Sequence, residues 1–182
     1  MALGATVHRL RLDVADIDRA VYDQHVLTVA RHPSETEERM MIRVLAFAMY
    51  ADPSLQFGRG LSTDDEPDLW LHSDDGQLRS WIDVGLPEER RLRRASGRAQ
   101  RVVVIAFGGN RVDVWWQRNR AAMTQLASLT VWSVPPEESA QLTALASRSM
   151  RLSVTLQEGS LLFSDGERTA ELSPRRLHPG AS

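Results

Sequence analysis

Apolar and polar residues alternate near the start of the chain, and this alternation predicts β-strands. Over residues 5–14, Val7, Arg9 and Arg11 fall on one face, while Leu10 and Leu12 fall on the other. Residues 25–30 repeat the pattern roughly and predict a second strand. The chain is therefore expected to open with two strands.

A helix is predicted to begin after these strands. Ser34 precedes Glu37 by three residues, which is the spacing of a capping box, and Pro33 lies directly before them. Apolar residues then recur on one broad face: Met41, Val44, Leu45, Ala48 and Met49. The helix is expected to end at Asp52-Pro53, because proline removes a backbone donor and clashes with the preceding turn.

The rest of the chain predicts strands and helices in mixed order. Two strands, over residues 67–71 and 78–84, flank the turn sequence Ser73-Asp74-Asp75-Gly76. The remaining predicted elements are a helix from residue 87, a strand over 101–107, a helix over 112–123, a strand over 129–134, a helix over 136–148 and a hairpin or meander over 152–172. This order predicts an α/β fold of the α+β type, in which a mixed sheet packs against helices.

Length and composition limit the class of protein. At 182 residues, with 42% apolar and 25% charged residues, the chain suits one globular domain. We expect that domain over residues 1–172 and a C-terminal tail over residues 173–182. The absence of cysteine excludes disulfides, thiolate nucleophiles and zinc ribbons. No apolar run reaches the length of a signal peptide or a membrane span, so we expect a cytoplasmic protein.

The charge is balanced, with one local basic cluster. The net charge of −2 argues against a protein that coats nucleic acid through general positive charge. All 22 basic residues are arginine, and the densest group contains Arg90, Arg91 and Arg94 on the helix predicted from residue 87. These arginines are candidates for contact with a nucleic-acid backbone. The alternative is a solvated helix face that pairs with Glu88 and Glu89.

Two aspartates lie within apolar strand segments. Asp68 and Asp83 both have apolar neighbours on the predicted hairpin. A turn centred on residues 74–75 would place Asp68 opposite Trp81, and a turn centred on 75–76 would place it directly opposite Asp83. The two carboxylates share a face in both registers and repel each other, which favours a divalent cation between them.

Glu38 is a candidate third carboxylate. It precedes the apolar residues Met41 and Ile42 by three and four positions and so borders the apolar face of the first helix. The alternatives are a surface glutamate favoured by the helix dipole, or an ion-pair partner for Arg43.

Longer stretches of the chain carry a family resemblance. They are residues 30–36, 38–41, 55–57, 59–61, 64–67, 85–87, 89–91, 115–116 and 131–132. In these stretches the chain resembles the bacterial YaeQ family, and the resemblance extends over nearly its whole length. That family's fold is understood as a compact variant of the PD-(D/E)XK nuclease fold. The resemblance therefore implies a restriction-endonuclease-like core with extra N- and C-terminal strands.

The resemblance also implies roles for the carboxylates. Pro67-Asp68 corresponds to the "PD" of the motif, Asp83 to its second acid, and Glu38 to the helical glutamate of such enzymes. Asp68 and Asp83 would then bind Mg²⁺ or Mn²⁺. The motif lysine should follow Asp83 by two residues, where this chain has Gly85, and Arg90 or Arg91 is a candidate replacement that cannot act as a base.

Three functions follow as hypotheses. The first is a divalent-metal-dependent phosphodiesterase acting on DNA or RNA, with Glu38, Asp68 and Asp83 as its catalytic residues. The second is a catalytically inactive protein of the same fold that binds nucleic acid or a transcription-associated protein. The third is a protein-interaction domain without a nucleic-acid role. Free carboxylates in an open cleft would favour the first, and carboxylates closed off by arginines would favour the second.

Overall fold

Two mixed sheets and four helices make up the part of the chain that the computed structural model describes, residues 4–59 and 65–179. The first sheet has the order β10-β9-β8-β1-β2. Its strands are β1 (Thr6–Asp16), β2 (Val21–Arg31), β8 (Ser149–Gln157), β9 (Ser160–Ser164) and β10 (Thr169–Leu172). Sequence patterns predict one mixed sheet, and the presence of a second sheet corrects that expectation.

The second sheet has the order β11-β7-β6-β5-β4-β3. Its strands are β3 (Leu55–Phe57), β4 (Leu69–His72), β5 (Leu78–Val84), β6 (Arg101–Phe107), β7 (Leu129–Val134) and β11 (Arg175–His178). The central strands β5, β6 and β7 are parallel, and the outer pairs are antiparallel. The predicted tail is therefore wrong in part, because Arg175–His178 pairs with β7.

The helices cover both faces of the second sheet. They are α1 (Glu37–Met49), α2 (Glu89–Ser96), α3 (Asn110–Met123) and α4 (Pro136–Thr143). The main core joins α1 to the inner faces of both sheets, and every residue of α1 from Met40 to Ala48 is buried. A second core lies under α2 and α3, against Trp81 and alternate residues of β6. Because β6 is buried on both faces, its sequence is a continuous apolar run rather than an alternating one.

Several predicted helix boundaries change: α1 ends at Met49 rather than at Asp52-Pro53, α2 begins at Glu89 and α3 at Asn110. Thr36, not Ser34, caps α1, because the Thr36 hydroxyl accepts a hydrogen bond from the backbone N–H of Arg39. The hydroxyl of Ser34 lies instead 2.7 Å from Nδ1 of His32. The helix predicted over residues 136–148 ends at Thr143, since the chain turns there before β8.

The hairpin of β4 and β5 fixes the relation between the two aspartates. Leu69 pairs with Ile82, so the numbers of paired residues sum to 151. Asp68 comes one residue before β4, and this register places it opposite Asp83. Of the two predicted registers, the one with facing aspartates is confirmed. None of the helices within residues 4–59 and 65–179 is long and apolar enough to cross a membrane.

Candidate functional site

A cleft of about 530 Å³ lies at the carboxyl ends of the parallel strands β5 and β6. Ligands in open α/β sheets bind at such strand ends, where loops lead into the following helices. The walls come from the segment before α1, from residues Val84 to Pro87 after β5, and from Gly108 and Arg111 after β6. The predicted residues Glu38, Asp68 and Asp83 all line this one cleft.

Asp83 lies on the floor of the cleft and is bound on both carboxylate oxygens. Only 2% of its surface is exposed. Oδ2 accepts hydrogen bonds from the Trp81 indole at 2.9 Å and from Nε of Arg91 at 2.8 Å, and Oδ1 accepts from Nη2 of Arg91 at 3.0 Å. Arg91 reaches it from α2 and also donates to the backbone oxygen of Glu66 at 2.7 Å. The Asp83 carboxylate is therefore a fixed anchor for α2.

Asp68 is bound by an arginine of α1, which packs on the opposite face of the second sheet from α2. Nη2 of Arg39, on α1, donates to both of its carboxylate oxygens at 2.9 and 3.0 Å. The backbone N–H of Val84 donates to Oδ2 at 2.8 Å. Arg39 thus fastens α1 to the end of β4, and both oxygens of Asp68 are occupied.

Glu35 connects two arginines of α1, and the sequence interpretation missed it. It is buried, and its carboxylate accepts from Nε and Nη2 of Arg43 at 2.8 and 2.7 Å. It also accepts from Nη1 of Arg39 at 3.0 Å. Arg39 and Arg43 are four residues apart on one side of α1, and Glu35, one residue before the cap Thr36, precedes them by four and eight residues. This spacing was the sequence feature from which the two ion pairs of Glu35 could have been predicted.

Glu38 has a different partner from the one expected. Its carboxylate accepts a hydrogen bond of 2.6 Å from the hydroxyl of Ser139, which is buried on α4. The alternative pairing of Glu38 with Arg43 is wrong, because Arg43 pairs with Glu35. Glu38 therefore lines the cleft without an arginine on its carboxylate in the described part of the chain.

The predicted basic residues separate into two groups. Arg91 is turned inward to Asp83, whereas Arg90 and Arg94 are exposed on the outer side of α2. All three arginines and Glu88 line a pocket of about 210 Å³. Of these arginines, Arg91 is therefore the one that pairs with Asp83.

Gly85, where the resemblance predicts the motif lysine, has a backbone conformation that favours glycine. Its φ is +96°, a conformation that strains any L-residue, and its N–H bonds to the Ile105 carbonyl at 3.0 Å. An added Cβ would meet only the ring of Phe107 at 3.9 Å. A larger residue at position 85 would therefore be disfavoured by the backbone conformation and not by a lack of space.

The carboxylates as arranged do not fit a bound Mg²⁺ or Mn²⁺. Both oxygens of Asp68 and of Asp83 already accept hydrogen bonds from arginine, indole or backbone N–H groups. Within residues 4–59 and 65–179, no three acidic or histidine side chains are grouped so as to hold a metal ion. Asp64, part of the stretch that carries the family resemblance, lies outside the described residues. The metal site stays a prediction.

Burial dominates the ionisation of Asp68. Loss of solvent raises the pKa of its carboxyl above the ordinary value, and the negative charge of Asp83 raises it further. The charge of Arg39 and the hydrogen bonds from Arg39 and Val84 oppose this rise in pKa without cancelling it. The facing aspartates therefore repel each other even though each has an arginine partner.

The raised pKa of Asp68 gives a testable dependence of stability on pH. At pH values between the pKa of Asp68 in the unfolded chain and its higher pKa in the folded protein, the folded protein binds more protons than the unfolded chain. The stability that Asp68 contributes therefore falls as pH rises through this window. Asp68→Asn removes the titration, so we expect its free energy of unfolding, relative to that of the wild type, to increase as pH rises above the ordinary pKa of an aspartate carboxyl. Urea denaturation across this range measures the difference. Asp74→Asn, in the exposed β4–β5 turn, is the control, and an opposite trend for Asp68→Asn would contradict the assignment.

Comparison with known proteins identifies the family. Residues 1–174 match the family model described as YaeQ protein. The chain belongs to the YaeQ family. It is 43% identical over 173 residues to YaeQ of Escherichia coli (strain K12), covering 95% of this chain and 96% of that one. It is 44% identical over 172 residues to YaeQ of Salmonella typhi, covering 94% and 95% of the two chains.

Two crystal structures of YaeQ proteins share this fold. The YaeQ protein from Xanthomonas axonopodis pv. citri superimposes with a TM-score of 0.92 at 43% identity, over 95% of this chain and 98% of that one. The YaeQ protein from Pseudomonas syringae gives a TM-score of 0.91 at 36% identity, over 97% of each chain. The arrangement of two sheets and four helices is therefore that of the YaeQ family.

Proposed function

We propose that the chain binds the phosphate backbone of a nucleic acid through the outer arginines of α2 and does not hydrolyse it. In this proposal the cleft is a PD-(D/E)XK-type core in which Asp68 and Asp83 have become anchors for arginines. The observation that carries the proposal is the bond of Arg91 to both oxygens of Asp83, at 2.8 and 3.0 Å. A transcription-associated protein partner stays a prediction.

The ion pairs argue against hydrolysis. A metal ion at Asp68 and Asp83 would have to displace Arg39 and Arg91, and hydrogen bonds to charged groups contribute about 1.5–3 kcal/mol each. The Trp81 indole, which is buried with Asp83, would still occupy one of its oxygens. Arginine stays protonated and so cannot replace the missing lysine as a base.

The ion pair between Arg91 and Asp83 also fixes the orientation of α2 and of its outer face. Leu92 and Ala95 are buried beneath the helix, and Arg91 fastens it to β5. Arg90 and Arg94 then point outward, four residues apart and on one side of the helix. Neither has a carboxylate within ion-pair distance among the described residues, so both guanidinium groups are available to phosphate oxygens.

Binding can be measured by fluorescence anisotropy with labelled single-stranded DNA, duplex DNA and RNA at low salt. We expect Arg90→Gln/Arg94→Gln to weaken binding about tenfold and to lower the slope of log K against log salt by about 1–2. Arg11→Gln/Arg151→Gln is the matched control, because it removes the same charge from paired exposed residues of β1 and β8. Equal loss in both variants would contradict the assignment to α2.

A metal-dependent phosphodiesterase is the second candidate. It is favoured by the facing positions of Asp68 and Asp83, whose repulsion a divalent cation would relieve. Its catalytic residues would be Glu38, Asp68 and Asp83, after Arg39 and Arg91 had moved away. Incubation of the same nucleic acids with Mg²⁺ or Mn²⁺ separates the two functions. Cleavage that Asp83→Asn abolishes would overturn the non-hydrolytic proposal.

A further inference from the structure

A second polar cavity lies at the opposite ends of the strands that form the cleft. It has a volume of about 400 Å³, and its charged and hydroxyl-bearing lining residues are Arg19, Tyr50, Asp52, Arg79, Ser80 and Arg101. We call it the Tyr50 pocket. Ser80 and Asp83 are three residues apart on β5, or roughly 10 Å at the rise of a β-strand. The Tyr50 pocket is therefore separate from the cleft and from α2.

The charges that line the Tyr50 pocket are mainly positive. Its lining contains three arginines and one aspartate. The carboxylate of Asp52 accepts a hydrogen bond of 2.8 Å from the backbone N–H of Ser54, and Arg19 pairs with Asp16. In the described part of the chain, neither Arg79 nor Arg101 has a carboxylate within ion-pair distance. Two arginines therefore line the same cavity without an ion-pair partner among the described residues, and Asp52 is the one acid of the lining.

Tyr50 adds a neutral hydrogen-bond donor. Its hydroxyl oxygen accepts a bond of 2.8 Å from the Trp132 indole, and the guanidinium of Arg101 lies 5.9 Å from the centre of its ring. Burial raises the pKa of Tyr50, although the Trp132 bond and the charges of Arg101, Arg19 and Arg176 lower it. The hydroxyl therefore keeps its proton near neutral pH. No acceptor for that proton exists among the described residues, so it can be donated to a ligand.

We propose that the Tyr50 pocket binds a small polyanion, such as a phosphate ester, through Arg79, Arg101 and the hydroxyl of Tyr50. Guanidinium groups recognise planar or tetrahedral oxyanions with paired N–H donors. Phosphate and carboxylate oxyanions share this chemistry, and the choice between them is part of the test. The cavity volume suits a small molecule rather than a polymer.

Isothermal titration calorimetry at constant ionic strength tests the proposal, with inorganic pyrophosphate and citrate as separate probes. We expect one binding site per chain for at least one probe. Arg79→Gln/Arg101→Gln should weaken that binding about tenfold or more, because it removes two charge-assisted contacts. Asp52→Asn should strengthen it several-fold, because it removes the acid of the lining while keeping an oxygen for the N–H of Ser54.

The controls separate this site from α2. Arg90→Gln/Arg94→Gln removes the same number of charges from α2 and should leave pyrophosphate binding unchanged. If that variant lost binding, or if neither probe bound, the Tyr50 pocket proposal would be overturned while nucleic-acid binding by α2 would stay open. Binding of citrate alone would assign the pocket to polycarboxylates rather than phosphates. If Arg79→Gln/Arg101→Gln fails to fold, Asp52→Asn provides the test. An unchanged affinity of Asp52→Asn for the probe would contradict the proposal.

Discussion

Arg43→Met is expected to lower the free energy of unfolding by about 3–5 kcal/mol. Arg43 is 3% exposed and lies on α1 between the two sheets. Its guanidinium donates twice to Glu35, donates to the backbone oxygen of Ala30 at 2.8 Å, and lies 5.7 Å from the ring centre of Phe57. Its removal leaves the buried carboxylate of Glu35 with Arg39 alone, which accounts for the large destabilisation.

Urea denaturation monitored by circular dichroism measures this effect. Arg118→Met is the matched control, because Arg118 is exposed on α3 and the same change there should alter stability by less than about 0.5 kcal/mol. The double variant Glu35→Gln/Arg43→Met should be more stable than Arg43→Met, since it removes a buried charge that retains only Arg39 as a partner. Equal stability of Arg43→Met and Arg118→Met would exclude a structural role for the Glu35–Arg43 pair.

Asp83→Asn is expected to destabilise the fold by about 2–4 kcal/mol. The change keeps the shape of the side chain but removes the charge that Arg91 faces. It also replaces one acceptor oxygen by an N–H₂ group beside the N–H donors of Trp81 and Arg91. Because Asp83 anchors α2, the loss should appear both in the free energy of unfolding and in nucleic-acid affinity.

The sign of this effect separates an anchor from a catalytic carboxylate. Active-site charges are commonly held at a cost to stability, so replacing one tends to stabilise a protein. Asp74→Asn makes the same chemical change in the exposed β4–β5 turn and should alter stability by less than about 0.5 kcal/mol. If Asp83→Asn were more stable than the wild type, the phosphodiesterase would become the preferred function.

The sequence predicts much of the second sheet because its strands are short apolar runs between clear turns. The bounds predicted for β5, β6 and β7 agree with the structure. The strand β11 is missed because Arg175-Arg176-Leu177-His178 is largely polar, as edge strands often are. The division of the strands into two sheets is missed because amphipathic patterns assume one buried face, whereas α1 is buried on all sides over residues 40–48 and packs between both sheets.

The candidate site is predicted in part. The local sequence of the β4–β5 hairpin is enough to predict that Asp68 and Asp83 lie close together on one face. The arginine partners do not follow from local sequence, because Arg39 and Asp68 are 29 residues apart and meet only through the packing of α1 on the second sheet. Arg90 and Arg91 were both candidates to replace the motif lysine, and local sequence did not predict that Arg91 is the one that turns to Asp83.

The parallel pairing of β1 with β8 has a consequence for synthesis on the ribosome. Leu10 pairs with Met150, so β1 waits for a strand that is synthesised much later than itself. Until β8 emerges, β1 and β2 can form only an isolated hairpin, and the apolar surface of α1 that faces the first sheet lacks most of its cover. Such long-range pairing slows folding and prolongs exposure of the nascent chain to aggregation. Premature stop codons before β8 would therefore yield chains that depend on chaperones or are degraded, rather than smaller stable domains.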